Sequence, residues 1–309
     1  MLDDLLDRFR RGDRRALSRL LSLVARGEHL DEILARLPPG PKPARVVAIT
    51  GSAGVGKSTL VGKSIDWLRQ QGRTVAVLAC DPQSPLSGGA LLGDRFRMPS
   101  RPDDDGVFIR SLAAAGGQGA VARHLGLMVR LLEVFGFDVI LLETVGAGQG
   151  DTAVRDLADV VVLLLQPETG DDLQWEKAGL LEVADVVAVH KADLPGAERV
   201  EAQVRAALDL PGSKPVPVLR LSSKTGEGIE RLWAAIGECP VHRDPTRPDG
   251  RELLRVAQET LAVRFAQAEA AADPELHRLI TRWQQGGLGE TEAAAQLWQL
   301  LETSSQVGK

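Results

Sequence analysis

Residues 51–59 read GSAGVGKST, directly after the apolar run Val46-Val47-Ala48-Ile49 and directly before Leu60-Val61, where a helix can begin. Gly51, Gly56, Lys57 and Ser58 meet the spacing G-x-x-x-x-G-K-[ST], and each residue type has a task in holding a triphosphate. Glycines let the backbone curl so that its N–H groups face an anion, and the following helix adds the positive end of its dipole. The cradle comprises Gly51, Ser52, Ala53, Gly54, Val55, Gly56, Lys57, Ser58 and Thr59. Lys57 would reach the β- and γ-phosphates and stabilise charge during reaction, and Ser58 would place a hydroxyl on Mg²⁺.

Outward from this loop, apolar runs alternate with helical patterns. The strand candidates are 46–50, 75–81, 107–111, 139–144, 160–166, 186–191 and 216–222. They are nearly continuous in apolar character, as strands covered on both faces are. The expected fold is α/β: a doubly wound, mostly parallel sheet of the P-loop NTPase kind, with its ligand beyond the strand C-termini. Before it, Leu17, Leu20, Leu21 and Val24 recur at helical spacing up to the stiff Pro38-Pro39-Gly40-Pro41. After it, a polar, proline-punctuated stretch leads into an Ala-, Leu-, Glu- and Gln-rich tail without a strand candidate. Three regions are therefore expected: a helical segment 1–40, a nucleotide domain 41–243, and a helical arm 244–309 that is a candidate dimerisation element.

Bulk composition narrows the classes. The 309 residues are 44% hydrophobic and 26% charged with a net charge of -5, which gives no basic footprint for nucleic acid. The two cysteines, Cys80 and Cys239, stand far apart without metal-ligand spacing, so neither a disulfide framework nor a zinc site is expected. The first residues hold acids and no uninterrupted apolar segment, and no stretch is long enough to span a bilayer. The expectation is a cytoplasmic protein with no membrane partner.

A phosphate loop alone admits ATPases, GTPases and kinases, so a base-reading element must decide. His190-Lys191-Ala192-Asp193 follows the strand Val186-Val187-Ala188-Val189 and is similar to the Asn-Lys-x-Asp guanine element of GTPases. Guanine presents N1–H and N2–H₂ on one edge, which a carboxylate accepts as a pair and adenine does not offer. Asp193 would read that edge and Lys191 would lie over the base. His190 replaces the usual Asn; its ring can donate to a carbonyl, but it is expected to lack the amide's paired donor and acceptor. Ser222-Ser223-Lys224 follows the last strand, where a loop over the base would lie. For Mg²⁺, Asp81 ends a strand read as lying beside the phosphate loop, and Glu143 ends another at the same edge. Gly146 would offer a backbone N–H to the γ-phosphate.

Longer blocks carry a resemblance. Asp81-Pro82-Gln83-Ser84-Pro85, then 87–98 (SGGALLGDRFRM), Phe108-Ile109-Arg110-Ser111-Leu112, Glu143-Thr144-Val145-Gly146-Ala147-Gly148-Gln149 and Leu163-Leu164-Leu165-Gln166-Pro167 resemble the MeaB/ArgK/MMAA family of P-loop GTPases, of the SIMIBI class. Those are metallochaperones of methylmalonyl-CoA mutase and related adenosylcobalamin-dependent acyl-CoA mutases. The resemblance implies a Mg²⁺-dependent GTPase, with GTP and GDP as substrate and product, that gates cobalamin loading or protection; a homodimer is the expectation that the helical arm raises. It places Ser58, Asp81, Asp94 and Glu143 at or behind Mg²⁺, switches at about 81–98 and 143–151, and a third, partner-facing switch at 168–177 with Asp171 and Lys177 as its charged pair. The implied catalytic set is Lys57, Asp94, Glu143 and Lys177. Against the family pattern, Ala53 stands for Pro, Gln83 for Ser, Trp175 and Glu176 for Gly and Ile, and Ser222-Ser223 for Ser-Ala. Rival readings of the same loop are a small-molecule or transport-linked protein kinase and a nickel-insertion GTPase.

Overall fold

All seven apolar runs form strands, in a computed structural model that describes residues 2–38, 42–82, 104–114, 124–144, 155–167, 178–209, 215–240 and 250–303. They are β1 (Arg45–Gly51), β2 (Val75–Pro82), β3 (Val107–Ala114), β4 (Val139–Glu143), β5 (Val160–Leu165), β6 (Val186–Val189) and β7 (Val218–Arg220). The sheet is wholly parallel in the order β3-β2-β4-β1-β5-β6-β7. Each strand is apolar nearly throughout because alternate side chains enter different cores. Val46 and Ala48 of β1 join Ala76, Leu78, Ile140 and Leu142 on one face. Val47 and Ile49 join Val75, Val77, Val139 and Leu141 on the other.

The first face is covered by α1 (Leu2–Arg10), α2 (Arg14–Ala25), α3 (Leu30–Arg36) and α5 (Leu125–Phe135). Asp13 caps α2 by accepting from the Arg15 and Ala16 amides at 2.7 and 3.2 Å. That helix buries Leu17, Leu20, Leu21 and Val24 completely, each worth about 1.5–3 kcal/mol of transfer free energy. The N-terminal helices thus share one core with the sheet. The opposite face carries α4 (Lys57–Gln70) and α8 (Ile229–Glu238), joined by Trp67 and Trp233, whose rings stack at 5.9 Å. Near β6 and β7, α7 (Ala197–Leu208) closes a smaller cluster, and α6 (Ala178–Val183) precedes β6.

The N-terminal edge of the sheet repeats one device. Asp138, Asp159 and Asp185 each stand just before a strand-opening valine and accept an N–H from a neighbouring strand's start. Asp138 takes the amide and hydroxyl of Thr74, both at 2.8 Å. Asp159 takes Val46 N at 2.8 Å and Asp185 takes Val161 N at 3.0 Å. Composition and apolar periodicity gave no sign of these pins, since short Asp-Val pairs read as ordinary strand boundaries.

The chain divides into two compact units, Met1–Thr246 and Arg247–Lys309. The second consists of α9 (Gly250–Ala270), α10 (Pro274–Gln284) and α11 (Glu290–Thr303) around Ala268, Leu276 and Leu301. Asp273 caps α10 and Pro274 opens it, satisfying the first-turn amides. Among the described residues no helix is long and apolar enough to cross a membrane.

Candidate functional site

The phosphate loop leaves β1, the central strand, and enters α4 at Lys57. Its turn depends on glycine at two places. Gly51 has φ 143°, and a Cβ there would meet the Leu164 carbonyl oxygen at 2.5 Å; Gly56 has φ 102°, and a Cβ would meet the His190 ring at 2.5 Å. Lys57 folds its ammonium onto the loop, donating to Gly51 O at 2.8 Å and Ser52 O at 3.1 Å.

β4 lies directly beside β1, with Ile49 in register with Glu143. This brings Ser58 at the start of α4 against the end of β4, where its hydroxyl donates to Glu143 Oε1 at 2.6 Å. Both side chains are buried. Sequence reasoning set Asp81 on the strand beside the phosphate loop; instead β4 intervenes between β2 and β1. Asp81 is therefore one strand further out, two residues beyond Ala79, which is in register with Glu143. Strand order follows from crossover connections that an apolar run does not encode. The side chain of Asp81, and all of Asp94, Gly146 and Lys177, lie outside the described residues, as do Gln83, Asp171, Trp175 and Glu176.

On the other side of β1, β5 and β6 carry the base-reading candidate. Lys191 takes a left-handed conformation, φ 57°, uncommon for a residue with a Cβ and often found where a site constrains the chain. Its ammonium donates to Gln166 Oε1 at 2.7 Å, a partner sequence reasoning did not single out. The available signal was a polar residue closing β5 at the ligand edge. Asp193 accepts from the Ser222 hydroxyl at 2.6 Å, and Lys224 stands 3.9 Å from its other oxygen. The Ser222 hydrogen bond first, then the Asp193 amide and Lys224, hold the Asp193 carboxyl below the usual carboxylate range.

His190 is the link between the two halves. Its ring is buried, and burial pushes the imidazole below its ordinary range, toward the neutral form. Nδ1 lies 2.7 Å from Val55 O, which can only accept, so Nδ1 carries the proton. Nε2 is then an acceptor, receiving the Ser223 hydroxyl at 2.8 Å and, more distantly, its amide at 3.4 Å. The expectation that imidazole lacks the paired donor and acceptor is thus corrected: one planar ring supplies both, from its two nitrogens.

These loops enclose one cavity of about 790 Å³. Its walls include Ala53, Gly54, Gly56, Lys57, Ser58 and Thr59 from the phosphate loop; Glu143 from β4; and His190, Lys191, Asp193, Ser222, Ser223 and Lys224 from the loops after β6 and β7. Cys80, read from sequence as a small core residue, is buried and also lines it. Gly51, Ser52 and Val55 stand just behind that wall, Gly51 and Ser52 receiving Lys57 and Val55 receiving His190. The volume suits a nucleotide-sized ligand, with hard oxygen donors at one end and a carboxylate at the other.

A family model described as "Methylmalonyl Co-A mutase-associated GTPase MeaB" matches residues 17–273. The chain belongs to the MeaB family. Relatives include a Pyrococcus abyssi protein named as a candidate GTPase, 43% identical over 258 residues that cover 81% of this chain and 79% of that protein. GTPase ArgK of Escherichia coli is 33% identical over 247 residues, 76% of this chain and 75% of its own. The mouse protein named methylmalonic aciduria type A homolog, mitochondrial, is 40% identical over 199 residues, 62% of this chain and 48% of its own. A crystal structure described as an LAO/AO transport system kinase superposes with a TM-score of 0.58 over 97% of both chains; at 23% identity it speaks for the fold alone. Membership in the MeaB family favours the GTPase reading over the kinase and nickel-insertion readings.

Proposed function

We propose that this MeaB-family protein hydrolyses GTP with Mg²⁺ and that its nucleotide state gates cobalamin loading or protection of an adenosylcobalamin-dependent acyl-CoA mutase, such as methylmalonyl-CoA mutase. The supporting observation is the shared cavity in which the phosphate loop and Asp193 face one ligand volume. The triphosphate end would lie against the loop amides and the start of α4. Guanine would lie against Asp193, whose carboxylate accepts N1–H and N2–H₂, with the Lys191 stem over the ring. Adenine would leave that acceptor unpaired.

In the proposed reaction water attacks the γ-phosphorus, the bond to the β–γ bridging oxygen breaks, and GDP and phosphate leave. Lys57 would exchange its loop carbonyls for β- and γ-oxygens and balance charge developing on the bridging oxygen. The donor set fits Mg²⁺, because Ser58 and Glu143 place a hydroxyl and a carboxylate, both hard oxygen groups, together at the loop mouth. The ion supplies charge neutralisation at the β- and γ-oxygens when bound. Asp81 and Asp94 near the metal, Gly146 as γ-phosphate sensor, and Lys177 at a partner-facing switch complete the reading, Asp94 and Lys177 by family resemblance alone. The protein is proposed to be cytoplasmic and homodimeric, with the helical arm as the contact.

Asp193→Asn is the direct test. It should lower GTP affinity and transfer preference to xanthosine triphosphate, whose carbonyl at the 2-position meets the amide donor. Unchanged GTP selectivity in a competition assay would sink the guanine assignment. For the partner, GTP turnover measured with and without a candidate acyl-CoA mutase should rise with the correct one.

A further inference from the structure

The side chains of His190 and Ser223, both buried, are bonded to each other at 2.8 Å. They lie 33 residues apart and meet because β6 and β7 pair in parallel, with Val189 in register with Arg220. We propose that His190 and Ser223 act as one positioning pair, which ties the phosphate loop to the base-reading loops through a neutral imidazole and so sets guanine-nucleotide affinity. This rests on the nucleotide reading given above.

The chain of contacts is continuous. Val55 O, inside the phosphate loop, receives Nδ1–H, and Nε2 receives the Ser223 hydroxyl. The neighbouring Ser222 hydroxyl holds Asp193 at 2.6 Å. Backbone bonds frame the same corner: His190 N to Leu165 O at 2.7 Å, and Ala192 N to Leu221 O at 3.0 Å. Each serine therefore has a different task, Ser222 orienting the base-reading carboxylate and Ser223 fixing the ring behind it. A methyl group at 223 would leave Nε2 only the Ser223 amide at 3.4 Å, beyond a good N–H···N distance. The ring cannot tilt freely to compensate, because Gly56 packs against it so closely that a Cβ there would lie 2.5 Å from Cε1.

The pair works in one protonation state. A proton on Nε2 turns the acceptor into a donor and removes the Ser223 hydroxyl bond in its present sense. Among the described residues, the charged groups that share the cavity are Lys57 of the phosphate loop, Glu143 of β4, Lys191 and Asp193 beside His190, and Lys224 after β7. Burial disfavours the protonated ring most, the Val55 carbonyl favours it, and Lys191 and Asp193 act against and for it more weakly, so the brace holds at neutral pH and weakens as pH falls.

The test is a cycle of Ser223→Ala, His190→Asn and the double variant on the full-length protein, read by titration with fluorescent GDP between pH 5.5 and 8 as about the useful range for an imidazole. Ser223→Ala should weaken GDP binding about fivefold, the size of one lost neutral hydrogen bond, when His190 is present. In the His190→Asn background the same change should have less than about half that effect. Relative to His190→Asn, the parent protein should lose affinity as pH falls. An independent readout is the ¹⁵N resonance pair of the His190 ring without nucleotide: Ser223→Ala should move Nε2 and raise the ring's titration midpoint. Additive effects on GDP affinity, or matching pH profiles, overturn the proposal even if the resonance moves. If no form binds GDP while the ring resonances respond as expected, the nucleotide reading has failed, and the positioning role falls with it.

Discussion

Gly56 places two constraints on one residue: a φ of 102°, which side chains with a Cβ avoid, and a ring of His190 where a Cβ would project. The ring is buried and bonded on both nitrogens, so it is a fixed wall and not a flexible tip. Gly56→Ala should therefore weaken GDP binding by about tenfold or more, since strain of this kind costs on the order of 1–3 kcal/mol. A fluorescent-GDP titration checks it, and parent-like affinity would contradict the wall. At this scale the loop glycines, Lys57, Ser58 and Asp193 were legible from sequence because short spacings carry their chemistry. The His190–Ser223 contact was not, because it needs the register of two strands whose separation in sequence carries no such rule. The pairing of Gln166 with Lys191 was hidden for the same reason, since Lys191 arrives from the next strand.

Strands announce themselves through unbroken apolar runs, and all seven were visible as such; their order was not. Burial on both faces tells that a strand is interior but not which neighbour it has, hence the displacement of Asp81 by one strand. What aligns the strands is partly the row of aspartates before β4, β5 and β6. Burial alone would raise the Asp138 carboxyl, but Lys42 and the two Thr74 donors outweigh it and hold it at about 2, below the ordinary 3.8. A carboxyl depressed by folding stabilises the folded state above its unfolded value and loses that contribution as pH falls through the folded one. The destabilisation of Asp138→Asn, read by urea unfolding, should thus be full near neutrality, on the order of 1–3 kcal/mol. It should shrink between pH 3.8 and about 2. Because this edge of the sheet lies opposite the ligand edge, GDP affinity of the folded variant should be unchanged. A constant difference across that pH window would mean the carboxylate charge contributes nothing.

Every described residue of the candidate site belongs to the first compact unit, and the second has its own core of Ala268, Leu276 and Leu301. That second unit leaves Trp283 and Trp298 half exposed, and large indoles are frequent anchors of subunit contacts. If the arm is the dimer contact, replacing both indoles with Gln should yield monomers by light scattering while GDP affinity stays at the parent value. Dimers that persist would move the contact elsewhere. The stacked pair Trp67 and Trp233 belongs instead to the first unit, and it gives the molecule an optical property. The chain contains no tyrosine, so its near-ultraviolet spectrum comes chiefly from five tryptophans, two of which are parallel within 10° and close enough for their transitions to mix. Trp67 rides on the helix whose first residue is Lys57, so the circular dichroism of that indole couplet is an unlabelled gauge of how the nucleotide-facing helix sits against its neighbour.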